Sequence, residues 1–129
     1  VKEIKLGDLS PTRDFNYVGD VCAGFMSLDA SRAGVGREIN IATNSEISIE
    51  GLLSTICGLM CVDISVVSEQ ERLRPSTSEV YRLRGENKLI RSITDWSPAT
   101  TLEAGLRKTI DWFVNGENLK KYKTNVYNI

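Results

Sequence analysis

The sequence predicts one α/β domain in which short strands alternate with helices. Apolar residues recur at helical spacing in three stretches, and in 49–60 they form one wide apolar face. Short β-branched runs such as 62–67 (VDISVV) separate these stretches and favour strands. The chain has 129 residues, 41% of them apolar, which is enough to bury one core.

The composition argues against several classes of protein. Sixteen basic and seventeen acidic residues leave a net charge of −1, which disfavours a nucleic-acid partner. No apolar run approaches the roughly 20 residues that cross a bilayer, so we expect no membrane partner. The odd count of three cysteines indicates a reducing cytoplasm. Because the chain begins at Val1 without a methionine, we interpret it as an excised or processed piece of a longer protein.

The first elements follow from alternation and capping. Lys2 to Leu6 alternates charged and apolar residues, which predicts a short strand. The stretch 10–21 (SPTRDFNYVGDV) contains three residues that favour an extended segment, namely Phe15, Tyr17 and Val18. Asp20 then suits the N-cap of a helix that runs from about Asp20 to Ser31.

Glycines and a polar run divide the middle of the chain. Gly34 and Gly36 mark a loop, and 38–42 (EINIA) is interpreted as a buried strand. Ser48 is expected to cap the second helix. The polar, proline-containing stretch 71–79 predicts a loop.

The last third contains a short strand, a short helix and a long helix. Residues 80–83 and 86–93 predict the strand and the short helix, and Trp96-Ser97-Pro98 breaks the chain after them. Thr100 stands three residues before Glu103, which is the spacing of a capping box. We expect Gly116 at the C′ position of the long helix. Its buried stripe is predicted to be Leu102, Leu106, Ile110 and Phe113.

One arginine suits a phosphate ligand. A guanidinium held beside a strand-to-helix turn, as Arg13 is predicted to be, donates two parallel hydrogen bonds. The alternative is a surface Arg13 that is ion-paired with Asp14 or with a neighbouring glutamate.

No pattern in the residues indicates a catalytic, metal or cofactor site. The only G-x-G, at 34–36, leads into the predicted strand 38–42, whereas a dinucleotide loop leads into a helix. Cys57 and Cys61 lie four apart, and the chain has no histidine to complete a zinc site. No tyrosine is followed by a lysine four residues later.

Four segments in order carry a resemblance to a known family. The stretch 6–21 (LGDLSPTRDFNYVGDV) resembles the "R-D-F-x-Y-V-x-D" segment of extended short-chain dehydrogenases/reductases. Residues 39–42 with 48–49, then 74–80 (RPSTSEV), then 96–98 with 102–106 (LEAGL) resemble three further motifs of their C-terminal half. The similarity is strongest to NAD-dependent nucleotide-sugar 4,6-dehydratases that act on UDP-N-acetylglucosamine-type substrates in bacterial surface-sugar pathways. The fold it implies for 1–129 is a partial α/β lobe that lacks the N-terminal Rossmann half.

The resemblance also implies roles for three residues. Arg13 would contact the substrate diphosphate, Arg74 would bind a phosphate or ribose oxygen, and Glu79 would accept hydrogen bonds from the ribose hydroxyls. Glu79 could instead pair with Arg82. This sequence departs from the family at three positions, where Ala42 and Asp95 replace glycines and Leu89 replaces a lysine.

The function that the resemblance implies belongs to a larger enzyme. That enzyme would oxidise the sugar at C4, eliminate water and reduce the product. The missing Rossmann half would hold the NAD and form the homodimer, and this fragment alone would be inactive. Two alternatives remain open, a nucleotide-sugar 4-epimerase with the same lobe and a non-enzymatic module that binds UDP-sugars or a protein.

Overall fold

Short strands and helices alternate along the chain in the computed structural model, which describes residues 3–69 and 80–122. This arrangement confirms the predicted α/β class. The strands are β1 (Glu3–Leu6), β2 (Thr12–Arg13), β3 (Ile47–Ser48), β4 (Ser65–Ser68) and β5 (Arg82–Leu83). The helices are α1 (Val18–Ala30), α2 (Ile49–Met60), α3 (Lys88–Ile93), α4 (Leu102–Val114) and α5 (Gly116–Leu119), with a short 3₁₀ helix at Arg32–Gly34.

The strands form two small sheets. β1 pairs with β4 in parallel, with Glu3 opposite Ser65. β2 is the central strand of the other sheet, between antiparallel β3 and parallel β5. Arg13 therefore lies opposite Ile47 on one side and Leu83 on the other.

Little apolar surface is fully buried among the described residues. The buried apolar side chains are Ala42, Ile90 and Trp96, and Ile90 is completely enclosed. Leu106 and Ile110, which the helical spacing predicted to be core residues, are only half-buried, and Phe113 is 39% exposed. The prediction of a buried stripe on α4 is therefore wrong in degree. No helix in the described ranges is long and apolar enough to cross a membrane.

The start of α1 differs from the prediction. The helix begins at Val18, after Tyr17, so Asp20 lies in its first turn and is not the N-cap. The extended residues Phe15 to Tyr17 belong to no strand, and the strand of this stretch is Thr12–Arg13.

The interpretation of 38–42 as a buried strand is also wrong. These residues form no strand in the structure, and Ala42 is the only one of them that is buried. Composition favours β structure here, but a strand needs a partner, and none runs beside them in the described residues.

The capping predictions have mixed outcomes. Ser48 caps α2 as expected, since its Oγ accepts from the Gly51 amide at 3.0 Å. At α4 the cap is displaced by one residue from the prediction, because Thr101 accepts from the Ala104 amide. Gly116 does follow the C-cap of α4, but it begins α5.

Candidate functional site

Arg13 ends the central strand β2 and is half-buried. Its Nη1 donates to the Thr12 carbonyl at 2.8 Å. Side chains alternate across a strand, so Thr12 and Asp14 face one side of the sheet and Arg13 faces the other. The flanking residues therefore identify what holds β2 in place.

Asp14 binds the loop 43–46. Its Oδ1 accepts from the Thr43 amide at 3.1 Å and from the Thr43 hydroxyl, and its Oδ2 accepts from the Asn44 amide at 3.0 Å. Asn44 has a left-handed backbone with φ of 62°, which asparagine tolerates better than most residues. Both carboxylate oxygens of Asp14 therefore accept from the loop, and the alternative in which Arg13 is ion-paired with Asp14 or with a neighbouring glutamate stays a prediction.

Thr12 contacts the same loop from the same face. Its hydroxyl donates to Glu46 Oε2 at 2.7 Å, and Glu46 forms an ion pair with Arg82 on β5 at 2.5 Å. The hydrogen bonds from Arg82, with a smaller contribution from Thr12, lower the pKa of Glu46 from 4.5 to about 2. Loop 43–46 is thus joined to both β2 and β5.

Asp20 joins α1 to the segment before α4. Its Oδ2 accepts from the amides of Ala99 and Thr100 at 3.1 and 2.8 Å, and its Oδ1 accepts from the Thr100 hydroxyl at 2.9 Å. The indole Nε1 of Trp96 donates to the Asp20 carbonyl at 2.9 Å. The expected capping residue therefore stabilises a distant turn, and Thr100 serves as its donor.

Tyr17 makes a second connection between the start of α1 and α4. A Cβ added to Gly105 would lie 3.3 Å from Cδ2 of its ring, and Lys108 Nζ lies 4.7 Å from the ring centre. The turn that follows Arg13 is consequently fixed against α4 by packing as well as by hydrogen bonds.

Ala42 contacts the chain after β5 closely. A Cβ built on Gly85 would overlap the Ala42 Cβ, so position 85 accepts only glycine without movement. Buried Asn87 donates from Nδ2 to the Ala42 carbonyl at 2.8 Å. Ala42, at a position where the resemblance implies a glycine, is therefore accommodated by Gly85. Asp95, the other position where the resemblance implies a glycine, is not among the described residues with positive φ.

Arg74 and Glu79, the other two predicted substrate residues, lie outside the described residues, as does the predicted loop 71–79. Their meeting with Arg13 in one cleft stays a prediction. Arg82, the alternative partner of Glu79, contacts Glu46. Sequence reasoning missed the contacts of Asp14 and Glu46 with their partners, because these are 29 to 36 residues away and no spacing rule connects them.

The described residues show no feature suited to a dinucleotide or metal. Gly34 is the last residue of the 3₁₀ helix, and Gly36 leads into irregular chain, so no helix N-terminus follows these glycines to face a pyrophosphate. Within the described ranges, no group of three or more acidic or cysteine residues is placed to hold a metal ion.

Comparison with known proteins defines the class. The fold is that of the C-terminal part of extended short-chain dehydrogenases/reductases. Specifically, the family model described as GDP-mannose 4,6 dehydratase matches residues 1–109, and the chain belongs to this family.

Three relatives show the range of the family. The chain is 32% identical to UDP-glucose 4-epimerase of Mycolicibacterium smegmatis over 84% of its length and 33% of that protein. It is 28% identical to GDP-6-deoxy-D-mannose reductase of Pseudomonas aeruginosa over 84% of its length and 35% of that protein. The solved dTDP-glucose 4,6-dehydratase of Bacillus anthracis, in complex with NAD, matches 95% of this chain and 38% of its own at 26% identity, with a TM-score of 0.77.

The chain spans about a third of the length of the relatives it matches. These relatives include a dehydratase, an epimerase and a reductase, and their names contain three different nucleotides, UDP, GDP and dTDP. The family of the chain is therefore established, and its relatives use more than one nucleotide sugar.

Proposed function

We propose that this chain is the nucleotide-sugar-binding lobe of an NAD-dependent sugar 4,6-dehydratase. The observation that supports it most is the position of Arg13 on a central strand that is braced on both sides, in a chain of this family. A fixed guanidinium suits a diphosphate. The two phosphates lose their hydration water on binding, and strong hydrogen-bond donors must replace it. Arg74 and Glu79 are proposed to complete the contacts to phosphate and ribose.

The cofactor is proposed to bind outside this chain. NAD would supply the hydride chemistry, and no residue in 3–69 or 80–122 is assigned to it. The remainder of the enzyme is also proposed to form the homodimer, and the cytoplasm is the proposed location. UDP-N-acetylglucosamine and a bacterial surface-sugar pathway are the proposed substrate type and setting.

The test of the binding role is the affinity of the full-length protein for nucleotide sugars. Arg13→Ala should remove a charge-assisted bond worth roughly 1.5–3 kcal/mol, which weakens binding about tenfold to a hundredfold. Arg13→Lys should restore only part, because an ammonium cannot form the bidentate fork. Arg91→Ala, which alters an exposed arginine on α3, is the matched control. Equal affinity of Arg13→Ala and the natural protein would refute the role.

The second candidate is a nucleotide-sugar 4-epimerase, which the 32% identity to a UDP-glucose 4-epimerase favours. Product mass separates the two reactions, since a dehydratase product is lighter by one water and an epimerase product is an isomer. The full-length protein should be incubated with NAD and each of UDP-N-acetylglucosamine, UDP-glucose, GDP-mannose and dTDP-glucose. A new chromatographic peak with the mass of the substrate would show that the enzyme is an epimerase and not a dehydratase.

The chain by itself is expected to be inactive. Incubation with UDP-N-acetylglucosamine and NAD should give no product above a protein-free blank, because the sequence holds neither a phosphate loop nor a Tyr/Lys pair. A non-enzymatic binding module would give the same blank, and it would also leave the full-length protein without turnover.

A further inference from the structure

Loop 43–46 contacts two side chains that share one face of the β2 segment. Thr12 and Asp14 stand two residues apart, so their side chains share a face, and both contact this loop. Arg13 lies between them and faces the opposite side. The loop therefore contacts the face of the strand that is opposite the Arg13 guanidinium.

Asp14 contacts more backbone groups in this connection than Thr12 does. Its two oxygens accept from the amides of Thr43 and Asn44, and its own amide donates to the Leu83 carbonyl on β5 at 3.0 Å. Asp14 is thereby bound on two sides, directly after the residue that carries the guanidinium. Loss of the side-chain contacts would free the end of β2 while its pairing with β5 persists.

We propose that Asp14 is a positioning residue for Arg13. Its carboxylate binds loop 43–46 and so fixes the point from which Arg13 reaches the diphosphate of the substrate. The inference rests on the proposed function of Arg13. A side chain already held in its bound position loses less freedom on binding, so the benefit appears as affinity for the diphosphate.

The experiment is a double-mutant cycle in the full-length protein. Asp14→Asn keeps the size of the side chain but replaces one acceptor by an NH₂ group, which cannot accept from the loop amides. The probes are UDP, GDP and dTDP, and the readout is the Kd of the nucleotide that binds most tightly, together with the Kd of the matching unphosphorylated nucleoside. We expect Asp14→Asn to weaken diphosphate binding roughly tenfold and to leave nucleoside binding within about twofold.

The decisive comparison is made in the Arg13→Ala background. If Asp14 acts through Arg13, Asp14→Asn has no further effect on diphosphate affinity there, and the coupling equals its whole effect in the natural protein. A similar loss in both backgrounds would overturn the proposal, because the carboxylate would then act on the fold or on the ligand directly. No loss from Asp14→Asn in the natural background would also overturn it.

Two further variants guard the result. Thr43→Val removes the hydroxyl donor but keeps the backbone amide, and it should weaken diphosphate binding in the same direction by a smaller factor. It supports the same cycle if Asp14→Asn does not fold. Asp29→Asn, at an exposed aspartate on α1, should leave affinity unchanged. Unchanged diphosphate affinity of Arg13→Ala alone would overturn the proposed function, and this inference with it, whereas failure of the coupling alone leaves the function standing.

Discussion

The segment 12–20 and the outer face of α1 are neighbours in the chain, yet they are stabilised in opposite ways. In the segment, Thr12, Asp14 and Asp20 all form hydrogen bonds with residues 29 to 80 positions away. On α1, Phe25 and Met26 are 65% and 75% exposed. Long-range polar contacts, together with the packing of Tyr17 against α4, therefore hold the part of the chain that carries Arg13.

Because of this difference, we expect substitutions in segment 12–20 to lower the stability of the chain more than substitutions on the outer face of α1. A substitution that removes a polar connection in 12–20 leaves hydrogen-bond groups, most of them part-buried, without their partner, which is costly. A substitution on the outer face of α1 replaces a side chain that is mostly exposed to water, so it should cost little.

The largest effect is expected for Asp20→Ala. It leaves the amides of Ala99 and Thr100 without their acceptor, and the free energy of unfolding should fall by about 3 kcal/mol. Asp20→Asn retains an oxygen for these amides and should lose about 1 kcal/mol. Urea-induced unfolding at pH 7 measures both, with exposed Asp29→Ala as the control. Equal losses for Asp20→Ala and Asp29→Ala would show that the turn before α4 does not depend on this carboxylate.

Gly85→Ala should have the next largest effect. The added Cβ would overlap the Ala42 Cβ, and we expect a loss of about 1–3 kcal/mol. The double variant Ala42→Gly/Gly85→Ala exchanges the two methyl positions and should recover most of the loss. Thermal unfolding of the two single variants and the double variant measures the coupling. Additive losses would mean that the two positions do not meet.

Ser48 and Asp20 show which features of the structure local sequence patterns predict. Local patterns predicted the Ser48 cap and the helix α2, because each depends on residues a few positions apart. Asp20 was also recognised as a helix-terminal residue, but α1 begins two residues earlier, at Val18. Its acceptor oxygens are consequently directed to Ala99 and Thr100, which no local rule connects to it.

The prediction of a strand at 38–42 is wrong for a related reason. Its β-branched residues favour a strand, but strand formation depends on a neighbouring chain, which a single sequence does not specify. Of the candidate site, the sequence indicated Arg13 and gave no sign of the loop 43–46 that braces it. The brace consists of contacts between segments about 30 residues apart.

A smaller effect, confined to acid, is expected at Glu46. Its pKa in the folded chain is about 2, below the ordinary 4.5, so the unfolded chain takes up the proton first as the pH falls. The contribution of Glu46 is therefore fully present above about pH 4.5 and is lost as the pH falls towards 2. Unfolding midpoints at pH 2, 3, 5 and 7 should show Glu46→Gln less stable than the natural chain at pH 5 and 7, with the difference vanishing near pH 2. A difference that is constant over this range would exclude the ion pair with Arg82 as its cause.

The smallest effect is expected for the outer face of α1. Phe25→Ser/Met26→Ser should change the free energy of unfolding by less than about 0.5 kcal/mol, because both side chains are mostly exposed in the described chain. Leu28→Ser is the matched control on the same helix. Leu28 is half-buried, and its Cδ2 lies 3.6 Å from a Cβ built on Gly34, so this change should cost about 1–2 kcal/mol. Exposed apolar side chains also promote association, so the double serine variant should scatter less light than the natural chain at high concentration. If the double variant loses as much stability as Leu28→Ser, the outer face of α1 is packed in solution, and the contrast with segment 12–20 does not hold.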